Sequence, residues 1–180
     1  MAKVITIKRK EGEGERAKEY VRRHILFPSG LLGMFSIVIG VLALLYQLII
    51  GTYDVYTFAQ SSGLIVVGII LGWGQSKYHK YLLRDHPEFF ASRLKLGGQR
   101  SVQRMKKQAG EVELNHPGRS LVPWGYLFGM AFLFGLSGWS FSTGSLDYMA
   151  AFTLPWSGFF WGKLFAWRGI IDPPRRPTKK

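Results

Sequence analysis

Cysteine is absent from all 180 residues. Disulfides, Cys-ligated zinc, iron–sulfur clusters, thiolate nucleophiles and dithiol relays are excluded with it. Charge is absent too, but in a pattern. Residues 25–50, 55–73 and 121–141 hold no Asp, Glu, Lys, Arg or His, and 148–167 hold only Lys163. A soluble globule spreads charge along its chain and a disordered one lacks such apolar runs, so neither class fits. Membrane enzymes and ion-coupled transporters keep ionisable or metal-binding groups at depth, where they are costly and held for function. Their lack here, with no Walker-type glycine loop, points away from an enzyme. The histidines do not rescue one: His24, His79, His86 and His116 all fall outside the apolar stretches, where bis-histidine haem would need facing mid-membrane positions. His79 and His86 stand two helical turns apart, but Pro87 interrupts the helix that would align them, so no metal is expected there.

What is present is four apolar stretches, each able to cover a hydrocarbon core of about 30 Å at roughly 1.5 Å per residue. Residues 51–54 and 143–147 are the only links within each pair, which predicts two antiparallel helical hairpins. Of 24 Lys and Arg, eight fall in residues 1–24, ten in 75–120 and five from Arg168 onward, with none in either short link. The positive-inside rule then puts both termini and the long middle segment in the cytoplasm and the two links outside. The net charge of +13 is thereby explained by topology, and nucleic acid is not an expected partner. The expected fold is an all-α integral membrane protein of a plasma (inner) or thylakoid-type membrane. It divides into a basic tail 1–24, a hairpin 25–74, a basic loop 75–120, a second hairpin 121–168 and a basic tail 169–180. The first apolar run, preceded by a long mixed-charge segment, reads as an uncleaved signal anchor.

Trp73, Trp124 and Trp167 fall at cytoplasmic span ends, as amphipathic rings prefer, and the stem of Lys163 is expected to snorkel to the same interface. Trp156 and Trp161 lie deeper. Packing is the expected role of these aromatics and no cofactor is called for; a lipid, pigment or quinone contact at Trp156 and Trp161 is the alternative. Asp54 and Asp147, one in each outer link, read as turn formers and helix caps. Gln47 and Gln60 are expected to hydrogen-bond across the hairpin or to water.

Small residues recur four apart: Gly68 and Gly72, Gly125 and Gly129, Gly158 and Gly162. In lipid no hydrophobic drive brings helices together, so close backbone approach through such faces is a main route to association, within the bundle or with another protein. The hairpins also echo each other. Pro28-Ser29-Gly30 matches Pro123-Trp124-Gly125, Gly33-Met34 matches Gly129-Met130, and Gly51 to Asp54 matches Gly144 to Asp147. A parallel internal repeat about an axis along the membrane normal would explain this, as would the shared needs of any glycine-rich hairpin.

The basic segments add amphipathic patterns. Ala17, Tyr20, Val21 and His24 share one helix face leading into Pro28, and Asp85-His86-Pro87-Glu88 carries a helix-start signature before the amphipathic run Phe89 to Leu96. Phe89 and Phe90 are expected to lie on anionic lipid or a partner, and Val4 to Ile7 could add as a strand to a partner's sheet. A four-span small multidrug transporter would carry an intramembrane carboxylate and a thiol-oxidising four-helix protein would carry cysteines; this chain has neither. The resulting expectation is a non-catalytic integral subunit, or an assembly and stabilising factor, of a larger membrane complex, energy-transducing complexes among the candidates. The alternative is a small oligomeric channel or transporter for a neutral or aromatic solute.

Overall fold

A computed structural model describes residues 14–87, 89–91 and 120–168. These are helical, with no strand among them. The first helix, α1, runs unbroken over Gly14–Ile49, α2 over Val55–Asp85, α3 over Leu121–Ser142 and α4 over Tyr148–Trp167. The first three are long and apolar enough to cross a membrane. The fourth falls short by composition, because Pro155, Lys163, three glycines or serines and three tryptophans dilute its apolar residues.

Pro28 sits inside α1 rather than at its start, and the helix accommodates it locally. Proline has no N–H to give the preceding turn. Residues Arg22–Leu26 widen into a π-turn in which the Phe27 N–H reaches back to the Arg22 carbonyl, and the Ser29 hydroxyl donates to the Ile25 carbonyl at 2.6 Å. Such widened turns let a helix absorb a missing bond without ending. The amphipathic segment leading into Pro28 is therefore continuous with the first apolar helix.

The two short turns are built alike. Gly51 and Gly144 take φ of +74° and +73°, a left-handed conformation that closes a helix C-terminus at little cost only for glycine. Three residues later an aspartate starts the next helix. Asp54 accepts from the Thr57 N–H at 2.7 Å and Asp147 from the Met149 N–H at 2.9 Å, which are the expected caps. The Thr57 N–H and hydroxyl hold the exposed Asp54 carboxyl below the usual carboxylate range.

Packing does not follow the hairpins. The fourth helix is the centre of the bundle: it packs on α1 and α2 along most of its length and more lightly on α3, whereas α2 and the stretch Phe27–Ile49 of α1 hardly touch each other. The short turn between α1 and α2 ties their ends together, but α4 then separates them. The second turn is wedged between those ends, and the Ser145 carbonyl accepts from Gln47 Nε2 at 3.0 Å and from Thr57 Oγ1 at 3.0 Å. A twofold arrangement of the two hairpins would pair α1 with α4 and α3 with α2 equivalently. Instead α1 and α4 pack closely while α2 and α3 scarcely meet.

The α2–α4 seam explains the glycines. A Cβ on Gly68 would fall on the Pro155 carbonyl oxygen, one on Gly72 on that of Phe159, one on Gly158 on that of Ile65, and one on Gly162 would lie 2.6 Å from that of Ile69. Residue numbers rise together along both helices, so the pair is parallel with backbones in direct contact. This is the close approach that small residues allow in lipid, where dispersion and Cα–H···O contacts replace the hydrophobic effect. On the other side, Gly40 admits Thr153 and Leu154, and Gly33 admits Phe160 and Trp161.

At the end of the bundle opposite the turns, Ala17, Val21, Leu82, Phe90 and Trp167 form a buried cluster. The apolar face of the N-terminal turns of α1 and the Phe89-Phe90-Ala91 helical stretch are thus covered by the bundle itself. Val4 to Ile7, Glu88, His116 and the remainder of the Phe89 to Leu96 run lie outside the described residues.

Candidate functional site

Because α3 leans away from α2, a groove opens between them with α4 as its floor. Its volume is about 620 Å³, within the range of small-molecule sites. The walls are Ile70, Leu71, Gly74, Gln75 and Tyr78 from α2 and Val122, Gly125, Tyr126, Gly129, Met130 and Leu133 from α3; Trp156 and Phe159 form the floor. None of these residues is charged. The groove is apolar over most of its depth and hydrogen-bonding at the end nearer the basic segments, where the Tyr126 hydroxyl lies 2.8 Å from His79 Nε2 and also meets the Gln75 amide. On its other side His79 meets Phe90, the two rings perpendicular with centroids 6.3 Å apart.

Two of the lining residues carry a side-chain atom that is fully buried in the protein without a hydrogen-bond partner: Gln75 Oε1, an acceptor, and Trp156 Nε1, a donor. Burying such groups unpaired costs about 1–3 kcal/mol each. The Trp156 ring is held by edge contacts with Phe134 and Phe159, at centroid distances of 5.6 and 6.0 Å.

The residues singled out from sequence divide between several places. Gly68, Gly72, Gly158 and Gly162 join α2 to α4. Gly125 and Gly129 line the groove, and a Cβ on either would meet nothing within 4 Å. Trp73 and Trp124 are exposed; Lys77 Nζ lies 3.7 Å from the Trp73 ring centroid. Trp167 is only 2 % exposed and belongs to the buried cluster. Phe90 is equally covered and Phe89 half-buried beside it. Lys163 is 8 % exposed, with its ammonium 5.3 Å from the Phe159 ring, so its stem is packed among helices instead of extending along an outer surface. Trp161 faces α1 at Gly33, on another side of α4 from Trp156, and the two do not form one groove. His79 and His86 diverge as Pro87 implies: α2 ends at Asp85, and His86 turns edge-on to Tyr81 at 6.2 Å.

At the turn end, Gln60 gathers a polar cluster. Its Nε2 donates to Thr143 Oγ1 at 3.0 Å, and its Oε1 accepts from Ser140 Oγ at 3.3 Å and from the Ser145 hydroxyl. Gln47 and Gln60 therefore bond to the second turn and its neighbours. Sequence reasoning missed Gln75, Tyr78 and Tyr126. Gln75 lies two residues past the 55–73 stretch and Tyr126 five residues inside the 121–141 stretch, so no shared sequence signal marks them.

The chain matches no protein-family model, no curated protein and no solved structure.

Proposed function

We propose that the chain is a non-catalytic, four-span membrane subunit or assembly factor that docks on another integral membrane protein through the outer face of α3, with both termini and the basic loop in the cytoplasm. The observation that carries this is the unequal use of glycine. On α2 and α4 the paired glycines are consumed by the fold, whereas on α3 a Cβ at Gly135 or Gly138 would meet nothing within 4 Å. At 100° per residue these two positions lie opposite the buried Leu133, Ser137 and Ser140. A helix glycine costs about 1 kcal/mol relative to alanine, and a face turned only to lipid has no use for it. A partner helix approaching closely does.

The same accounting weakens the reading as a channel between protomers, since Gly68, Gly72, Gly158 and Gly162 are already filled within one chain. The fourth span rests on the central place of α4: a helix enclosed by three others need not be as apolar as one facing lipid.

The test combines topology and partnership. Because the chain has no cysteine, single cysteines at Tyr53, Ser145 and Lys107 report sidedness directly; the first two should label from outside and the third should not. Mild solubilisation, native electrophoresis and mass spectrometry should find a stoichiometric partner that is lost on Gly135→Leu with Gly138→Leu while the protein stays folded. A monomer with no partner even in mild detergent, or external labelling at Lys107, refutes the reading.

A further inference from the structure

We infer that Lys163 pairs with a carboxylate from a membrane helix of the partner, an Asp or Glu held at the same depth. This rests on the subunit reading and names the chemistry of its partner, through a contact on another side of the bundle from Gly135 and Gly138.

The four apolar stretches hold one charge and nothing to balance it. Residues 25–50, 55–73, 121–141 and 148–167 contain no Asp or Glu. Among the described residues no carboxylate or other hydrogen-bond acceptor meets the Lys163 ammonium. The Phe159 ring lies 5.3 Å from Nζ, but a ring does not replace a counter-ion. At 8 % exposure the side chain is more than nine-tenths buried, and an unpaired charge so placed is among the costliest groups a membrane protein carries. Nζ itself is nevertheless not among the polar atoms that the fold seals completely, so it remains open to a group from outside.

Depth separates a protein carboxylate from a lipid phosphate. Helix side chains lean toward the helix N-terminus, which for α4 is the turn end, and Nζ accordingly lies beside a ring one turn further from the basic end. Phe159 stands eight residues, or about 12 Å, inside the end of α4 at Trp167. Its backbone lies against Gly68 and Gly72, both within the uncharged 55–73 stretch. Lipid phosphates sit outside the hydrocarbon, and the lysine stem runs away from them. An anion at this depth is one that another helix carries in. Lys163 follows Phe159, part of the groove floor, by one turn on the same side of α4. On that side α3 stands off from α2, so a partner helix approaches the ammonium without displacing a helix of this chain.

The test uses the full-length protein with its partner in mild detergent. Dicyclohexylcarbodiimide, which is lipid-soluble, joins an amine to a carboxyl in contact with it. Mass spectrometry should then find Lys163 linked to an Asp or Glu inside an apolar stretch of the partner. Lys163→Met should lower the amount of partner retained about tenfold or more, as removing one member of a desolvated charge pair implies, and Lys163→Arg should keep most of it. Freed of partner, the Lys163→Met protein should unfold at a temperature no lower than the parent, since it has lost an unpaired charge; a lower temperature would assign the lysine to the fold and overturn the inference. Should Lys163→Met not fold, the cross-link alone decides. A link only to a carboxyl of this chain, no link at all, or full retention of the partner by Lys163→Met would each overturn it, as would loss of bound phosphatidylglycerol with the lysine while the partner stays. A parent protein with no partner refutes the subunit reading, whereas a partner that leaves on changing Gly135 and Gly138 but stays on changing Lys163 refutes this inference alone.

Discussion

Glycine has three distinct uses in this chain, and only the surroundings tell them apart. Gly51 and Gly144 supply positive φ; Gly68, Gly72, Gly158 and Gly162 supply backbone contact; Gly63, Gly74, Gly125, Gly129, Gly135 and Gly138 meet open space. The first use was legible in the sequence, because each glycine ends an apolar run three residues before an aspartate. The second was legible as a tendency, since four-residue spacing says that a helix can approach something but not what. Gly72→Ala should therefore destabilise the protein by about 1–3 kcal/mol, the range for forcing an extra carbon into a packed seam, because its Cβ would overlap the Phe159 carbonyl oxygen. Gly63→Ala on the same helix should be neutral or stabilise by up to about 1 kcal/mol through helix propensity. Thermal unfolding of both variants in one detergent provides the check. Equal destabilisation would mean that α2 and α4 do not meet along that seam.

At the scale of elements, the sequence located the helices well and their environments less well. Ala17 and Val21 were read as one apolar face and are indeed buried, but against Leu82, Phe90 and Trp167 rather than a bilayer surface. Periodicity shows that a face is apolar, whereas its cover depends on where α2 ends and on the break at His86, which turns Phe89 and Phe90 back over the bundle. Trp167 had the placement of an interfacial anchor for the same reason: its position at the end of an apolar run is compatible with either fate. Its indole N–H is buried and unpaired, so ring volume, not hydrogen bonding, is what it contributes to the cluster. Trp167→Phe should leave residues 14–26 docked, while Trp167→Ala should release them, at a cost of about 3 kcal/mol for the lost aromatic. Amide hydrogen exchange of α1 reads the difference, with faster exchange confined to the first turns in the alanine variant. Unchanged exchange there would show that the cluster is not what holds the N-terminal turns.

For the whole molecule the decisive feature is that the helix whose membrane-length stretch is the least apolar of the four is the most enclosed. Hydropathy alone passes over α4, with its Lys163, Pro155 and Ser157, and the absence of charge in 148–162 is what marked it in the sequence as a fourth span. Packing reconciles the two. Lys163 is covered by protein, the Pro155 carbonyl rests on Gly68, and Ser157 is buried, so the groups that would be costly in lipid face other helices. The groove was illegible for a related reason: it exists because α3 fails to repeat toward α2 the packing that α1 makes on α4, a relation between helices that no single stretch encodes. An order of assembly follows. A lysine near the membrane centre costs roughly 2.5–3.5 kcal/mol in an isolated span, and even nearer an end it offsets much of what the aromatic residues of α4 contribute. Expressed by itself between reporter domains, segment 148–167 should span the membrane in a minority of copies. Preceded by residues 14–142 it should span in nearly all, because α1 and α2 supply the glycine-lined surfaces that receive it. Lys163→Leu should raise insertion of the isolated segment toward the full-length level while doing little in the complete chain. Efficient insertion of the isolated wild-type segment would instead mean that α4 enters the membrane on its own terms and that its central position is reached only afterwards.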